Sequence, residues 1–104
     1  MRTIDDWRLL RLFDGTGDWS LQNTHNKAMY HVSVRFEGTV DGKRWSEGVT
    51  PIGARKNLGE VGPYETLTIT VSHSRTVDTV TVEWAGLLGR KKWTTTHDAN
   101  GRKL

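Results

Sequence analysis

Four histidines are the residues of this chain whose type most readily supports catalysis or metal binding. They are scattered at His25, His31, His73 and His97, without the close pairing typical of zinc ligands. Ser72 and Ser74 flank His73, but neighbours in an extended chain point to different sides and form no nucleophile–base pair. The sequence therefore predicts no catalytic residue and a protein that is not an enzyme.

Three aspartates offer a second possibility for metal chemistry. Asp14, Asp18 and Asp41 would meet at one end of a sandwich, where they would offer carboxylates to calcium. Calcium takes about six to eight oxygen ligands, so three carboxylates are a thin basis, and turn formation is the favoured interpretation. No glycine-rich segment follows a strand and opens a helix, which removes the phosphate-binding motifs. We expect no metal site and no cofactor.

The charge balance indicates only a mildly basic protein. Fifteen Lys and Arg residues against twelve Asp and Glu residues give a formal charge of +3. Nucleic-acid binders usually concentrate more positive charge than this on one surface. Charge alone therefore does not identify a partner.

Period-two alternation of apolar and polar residues is the dominant pattern. It is clearest in residues 30–37, 66–72 and 79–84, and shorter runs occupy residues 19–23, 43–46 and 91–96. Residues 4–13 fit either a strand or a capped helix, and the strand is favoured because everything after it is strand-like. Asp41-Gly42 predicts a tight hairpin turn.

These runs predict an all-β, two-sheet antiparallel immunoglobulin-like sandwich of about seven strands, in a single domain over residues 1–104. A five-stranded OB-like barrel is the alternative. Residues 48–65 predict an irregular connection between the sheets. The tail from about residue 98 is expected to be flexible.

The strand patterns also resemble a known group of domains. The run Trp7-Arg8-Leu9, the motif Trp19-x-Leu21-x-Asn23-Thr24, and the later Val80-x-Val82-x-Trp84 are similar to small immunoglobulin-like domains in uncharacterised actinobacterial proteins. The likeness spans residues 7–95. Those domains usually place Gly where this chain has His25. The resemblance implies the fold and carries no activity, because fold does not determine function.

Immunoglobulin order would bring three connections to one end of the sandwich: residues 23–27, 48–65 and 86–92. The basic residues gathered there would be His25, Lys27, Arg55, Lys56, Arg90, Lys91 and Lys92. The opposite end would hold Asp14, Asp18, Asp41 and Asp78. One interpretation is an electrically polar molecule whose basic end meets an acidic partner; the other is that these cations only aid solubility.

Five tryptophans supply candidate interface anchors. Trp84, Trp19 and Trp93 are expected in the core, whereas Trp45 and Trp7 are the candidates for exposure. An exposed Trp beside Lys43 and Arg44 would suit either a protein hot spot or base stacking.

Together these features predict a protein-binding module without enzymatic activity. Its predicted partner-binding residues are Lys27, Arg55, Lys56, Arg90, Lys91, Lys92 and Trp45, and an edge strand is a second route to a partner. The expected partner is a protein with an acidic surface. Alternatives are a nucleic-acid-binding barrel using Trp45, Trp93 and residues 90–92, or a virion or assembly component.

Composition and the start of the chain bear on its setting. The chain has no cysteine, no apolar run of membrane-spanning length and no visible signal peptide, which predicts a cytoplasmic protein without membrane association. The start at Met1 suggests a small free-standing protein, phage-encoded or accessory.

Overall fold

A computed structural model describes residues 6–12, 17–55 and 57–104 of the chain. These residues form two antiparallel sheets and one short 3-10 helix. The described strands are β1 (Trp7–Arg11), β2 (Asp18–Asn23), β3 (Tyr30–Val40), β4 (Lys43–Val49), β5 (Thr66–Thr70), β6 (Val77–Ala85) and β7 (Lys92–Asp98).

The two sheets have the strand order of an immunoglobulin-like sandwich. One sheet has the order β1-β2-β5 and the other has the order β4-β3-β6-β7. The fourth strand stays beside the third instead of crossing to the first sheet. This architecture confirms the predicted all-β sandwich of seven strands. The OB-like barrel is wrong, because two separate sheets with open edges replace one closed barrel.

Alternation along each strand places the apolar side chains between the sheets. In β3, Val32, Val34 and Phe36 are buried while Ser33 and Arg35 face solvent. The buried hydrophobic residues that form the core cluster are Trp7, Leu9, Trp19, Leu21, Val32, Val34, Phe36, Val61, Ile69, Val71, Val77, Val80, Val82 and Trp84. Burial of each aliphatic side chain stabilises the fold by about 1.5–3 kcal/mol.

The ambiguous first segment forms a strand. β1 pairs antiparallel with β2, and Leu9 lies opposite Leu21. Trp7 and Leu9 face the core, whereas Arg8 and Leu10 face solvent. The part of the segment at residues 4 and 5, and that at residue 13, lies outside the described residues.

The β3–β4 hairpin closes through the predicted turn. Asp41 and Gly42 have φ values of 51° and 78°, as a type I′ turn requires. This left-handed conformation suits Asp and Gly, so the local sequence sets the hairpin.

Three tryptophans depart from the expected placement. Trp7 is buried at 2% exposure, with its ring edge-on to Trp84 at 5.7 Å. Trp93, expected in the core, is 40% exposed. Trp45 is half-buried, and its Nε1 donates to Thr76 Oγ1 at 2.8 Å. Trp7 was predicted to be exposed because it lies near the start of the chain, but the second sheet covers the start of β1.

The C-terminal segment folds back along the edge of β7. Asp98 N donates to Arg102 O, and Leu104 N donates to Thr96 O, both at 2.8 Å. His97 is buried and its Nδ1 lies 3.1 Å from Gly101 O. The tail that the sequence predicts to be flexible therefore makes defined contacts with the last strand.

Gly101→Ala is expected to destabilise the protein. Gly101 has a φ of 87°, and a Cβ there would clash with Leu9 O. Backbone strain alone costs about 1–3 kcal/mol, measurable as a lower free energy of unfolding in urea. The matched control is Gly48→Ala, whose Cβ would meet nothing within 4 Å. Equal stability of the two variants would contradict the prediction.

Contacts between Asp98 and the tail are expected to weaken in acid. Backbone N–H groups of Arg102 and Asn100 donate to its carboxylate and lower its pKa below the ordinary value of 3.8. A lowered pKa means that the carboxylate stabilises the tail above the ordinary value, and that this contribution is lost as the pH falls through the folded pKa. The amide NMR shifts of Asn100 and Arg102 should titrate with a midpoint below 3.8, and Asp98→Asn should abolish that titration. A midpoint above 3.8 would contradict this.

Candidate functional site

Three connections meet at one end of the sandwich, as the sequence predicted. This loop end comprises residues 24–29 between β2 and β3, residues 50–55 and 57–65 between β4 and β5, and residues 86–91 between β6 and β7. The antiparallel register requires it, since Tyr30 pairs with Ala85 and Ala85 pairs with Lys92. The loop end is the candidate functional site.

A β-bulge in β3 docks the long connection. The register shifts between Tyr30 and Ser33, and His31 has a φ of 54°. A bulge leaves an extra residue out of the ladder. Val32 N therefore donates to Gly59 O at 2.9 Å instead of to a neighbouring strand.

A two-way backbone bridge fixes the next part of the connection. Met29 N donates to Val61 O at 2.8 Å, and Val61 N donates to Met29 O at 2.9 Å. Val61 is fully buried and belongs to the core. The connection is thus tied to the sandwich at its middle.

Asn23 links two of the loops through its side chain. Its Nδ2 donates to Lys27 O at 2.8 Å and to Gly62 O at 3.0 Å. Its Oδ1 accepts from His25 N at 2.9 Å. The sequence predicts Asn23 at the end of a strand and gives it no role; its position between a strand and a polar loop is the signal that the sequence offers.

Two glutamates organise the long connection from within. Glu65 accepts from Gly62 N through Oε1 at 2.7 Å and from Ala54 N through Oε2 at 2.6 Å. Glu60 is buried and accepts from Asn57 Nδ2 at 2.7 Å. An irregular segment therefore has a fixed shape, because side-chain acceptors replace the ladder of a strand.

Exposed apolar side chains are concentrated at the loop end. Eight large apolar residues are exposed in the described part of the chain; five belong to this end, and a sixth, Trp93, lies next to it on β7. These six are Ile52, Leu58, Tyr64, Leu87, Leu88 and Trp93. The other two, Leu10 and Leu104, lie on β1 and in the tail.

Part of this apolar surface is continuous between two connections. Ile52 and Leu58 form an isolated antiparallel bridge. Leu58 and Leu87 line one open depression of about 270 Å³, together with Tyr30 and His31. We call Ile52, Leu58, Leu87 and Leu88 the leucine patch. An exposed apolar surface of this kind, surrounded by polar groups, is typical of an interaction site.

Most of the predicted basic residues lie around this surface. Arg55 is exposed, with its NH1 3.8 Å from Glu60 Oε1. Arg90 and Lys91 belong to the β6–β7 turn, and Lys92 Nζ lies 3.8 Å from Glu83 Oε1. The exposed Lys92–Glu83 pair contributes only about 0–1 kcal/mol, which leaves Lys92 available to a partner, whereas Arg55 pairs with a buried carboxylate. Lys56 lies outside the described residues.

A second groove, of about 490 Å³, lies beside Lys27, another of the predicted partner-binding residues. It is lined in part by Lys27, Met29, Trp84 and Trp93. The rings of Trp84 and Trp93 stack with centroids 6.3 Å apart, and Lys91 Nζ lies 5.5 Å from the Trp93 ring. One face of Trp93 is thus held against the core while the ring stays accessible.

A histidine–carboxylate contact lies on the wall of the same groove. His25 Nε2 is 2.7 Å from Asp6 Oδ1, and both residues line the groove. The contact joins the start of the described chain to the β2–β3 loop. It is an isolated pair within the described ranges, where no cluster of three His, Asp or Glu residues is positioned to hold a metal ion.

The charges do not separate along the strands, which corrects the hypothesis of an electrically polar molecule. Asp18, Asp41 and Asp78 lie at the end opposite the loop end, and Asp14 is outside the described residues. That end also holds the basic residues Arg11, Lys43, Arg44, Arg75, Arg102 and Lys103. Acidic Glu60, Glu65 and Asp6 lie at the loop end. What distinguishes the loop end is its apolar surface.

Of the predicted partner-binding residues that the structure describes, Trp45 alone lies elsewhere. It is opposite Gly38 on β4, near the β3–β4 turn and away from the loop end. Its ring packs on His73 at 5.4 Å. Its indole N–H is already bonded, so it serves a structural contact.

Comparisons with family models, curated proteins and solved structures find no match to this chain. Within the described residues, no helix has the length and apolarity needed to cross a bilayer. The geometry of the loop end is therefore the basis for a functional proposal.

Trp93→Phe is expected to remove most of the iodide-quenchable tryptophan fluorescence. Trp93 is the most exposed of the five tryptophans and lies beside Lys91, which attracts the anionic quencher. Stern–Volmer titration checks this. Trp19→Phe is the control, because Trp19 is fully buried. Equal quenching of wild type and Trp93→Phe would contradict the placement.

Proposed function

We propose that this domain is a protein-binding module that docks through its loop end. The partner surface would be apolar and surrounded by acidic residues. The observation that carries the proposal is that exposed leucines from two separate connections line one depression, at the end of the sandwich that also carries Arg55, Arg90, Lys91 and Lys92. Large apolar anchors supply most of the binding energy in protein interfaces, and surrounding charges steer association.

The fixed shape of the loops supports this role. Asn23 bonds the backbones of two connections, and Glu60 and Glu65 form hydrogen bonds within the long connection, before any partner arrives. Binding then pays less conformational entropy than it would with loops that must first be ordered. An acidic rim on the partner would meet Arg55, Arg90 and Lys91.

Nucleic-acid binding is supported less well. Only Trp93, of the two tryptophans expected to stack on bases, lies beside the basic turn. Single-strand binders present several aromatic rings along a basic groove.

We also propose that the protein is cytoplasmic and without enzymatic activity, on its cysteine-free composition and lack of a visible catalytic motif.

Charge reversal at the loop end tests the proposal. Arg90→Glu, Lys91→Glu and Lys92→Glu together should weaken capture of a specific host protein by about tenfold or more, a loss of about 1.4 kcal/mol. The triple variant Lys43→Glu, Arg44→Glu and Lys103→Glu is the matched control: it makes the same change in net charge at the opposite end. Capture from nuclease-treated lysate of the native host, quantified by mass spectrometry, measures both.

The leucine patch needs its own variant in the same assay. Leu58→Ser with Leu87→Ser should lose the same protein, whereas Leu10→Ser, an exposed leucine on β1, should retain it. Equal losses by the two charge variants would contradict the proposal. The proposal would also be contradicted if the domain bound vesicles of anionic lipid or oligonucleotides but captured no protein whose binding the leucine variant loses.

A further inference from the structure

Three of the four edge strands carry features that block further strand pairing. β7 is partly covered by the tail, which pairs with it at His97 and Thr96. β4 begins with Lys43 and Arg44, and edge cations oppose the approach of another strand. β1 has five residues including Arg8 and Arg11, and Gly101 packs against the backbone of its Leu9.

The edge of β5 lacks this protection. Its sequence, Thr66–Thr70, reads TLTIT, without charge, Pro or Gly. Four of its five residues are β-branched, which favours an extended backbone. β5 pairs with β2 on one side, and no other described strand pairs with it.

The free side of β5 presents main-chain groups at alternate residues. Asn23 N donates to Glu65 O at 3.0 Å, and Val71 N donates to Gly17 O at 3.4 Å, so odd-numbered residues face β2. Consecutive residues in a strand point their N–H and C=O groups to opposite sides. Thr66, Thr68 and Thr70 therefore direct theirs to the open edge.

An apolar groove lies beside this edge. It has a volume of about 280 Å³ and is lined on one side by Leu67 and Ile69. Val49, Pro51 and Ile52 line the other side. An added strand would cover this groove with every second side chain.

The sequence of β5 is self-complementary about Thr68. In an antiparallel pair centred there, Thr66 lies opposite Thr70 of a second copy, and Leu67 opposite its Ile69. The residues whose main-chain groups face the open edge, Thr66, Thr68 and Thr70, then lie opposite Thr70, Thr68 and Thr66 of the second copy. A two-fold axis at Thr68 gives both copies the same contact surface.

We propose that two copies of this chain associate through their β5 edges. The two three-stranded sheets become one six-stranded sheet, joined by about six backbone hydrogen bonds. Thr pairs form on the solvent side, and Leu–Ile pairs form over the groove. The contact is small, so the dissociation constant is on the order of 0.1 mM.

Sedimentation velocity at increasing concentration tests the association. Wild type should approach twice the monomer mass of 11.8 kDa at about 1 mM protein. Thr68→Lys should remain monomeric, because it places two cations opposite each other at the axis. Thr94→Lys is the matched control, an exposed Thr on edge strand β7, and should dimerise like wild type.

Cysteine cross-linking tests the register even if Thr68→Lys fails to fold. The chain has no natural cysteine, so Thr68→Cys introduces a single thiol. Directly paired residues have Cα atoms about 5.5 Å apart, within reach of a disulfide. Thr68→Cys should form a disulfide dimer at least about tenfold faster than Thr94→Cys under mild oxidation.

The proposal is overturned by a wild-type protein that stays monomeric at about 1 mM, or by equal cross-linking of the two cysteine variants. The proposal is also overturned if the wild-type protein is monomeric but captures a partner protein that the Thr68→Lys variant does not capture. The edge would then bind a strand of another protein. Loss of dimerisation in the loop-end variants, with Thr68→Lys unaffected, would place the contact at the loop end instead.

Discussion

The side chain of Asn23 is the constraint on which the loop end depends. It is fully buried at the last residue of β2, where an unpaired amide would cost about 1–3 kcal/mol. It avoids that cost by bonding the carbonyls of Lys27 and Gly62 and the amide of His25. Two connections far apart in sequence therefore share one set of hydrogen bonds. If either connection moved, it would leave a buried polar group unsatisfied, and this keeps the exposed leucines on a fixed base.

The long connection also explains why no strand pairs with the outer side of β5 among the described residues. A constant-type immunoglobulin sandwich places a strand beside the fifth strand in this position. Here residues 50–65 rise to the loop end, where Val61 enters the core and Glu65 bonds the backbone of Gly62 and Ala54. Pro51 and Ile52 line the groove next to β5, but no described residue of this connection forms a strand that pairs with it. Among the described residues, the outward main-chain groups of Thr66, Thr68 and Thr70 therefore have no partner strand.

The alternation of apolar residues predicted most of the fold, because a strand with one buried face must repeat every two residues. It could not decide which tryptophan is covered. Trp84 and Trp93 lie directly opposite each other and share a face, yet Trp93 is on an edge strand and extends past the core. The predicted topology was enough to place the cations at the loop end, but it did not predict the leucine patch. Leu58 and Leu87 are 29 positions apart, and only the docking of the long connection brings them together.

The two proposed surfaces are geometrically compatible. The loop end is at one end of the strands, whereas the β5 edge runs along their side, and the leucine patch and the groove beside β5 share only Ile52. Antiparallel pairing of β5 with its copy points the two loop ends in opposite directions, because the two-fold axis is perpendicular to the strands. Such a dimer would hold two partner molecules apart instead of against each other. Linkage between partners would then depend on protein concentration, since the edge contact is weak while the loops are already ordered.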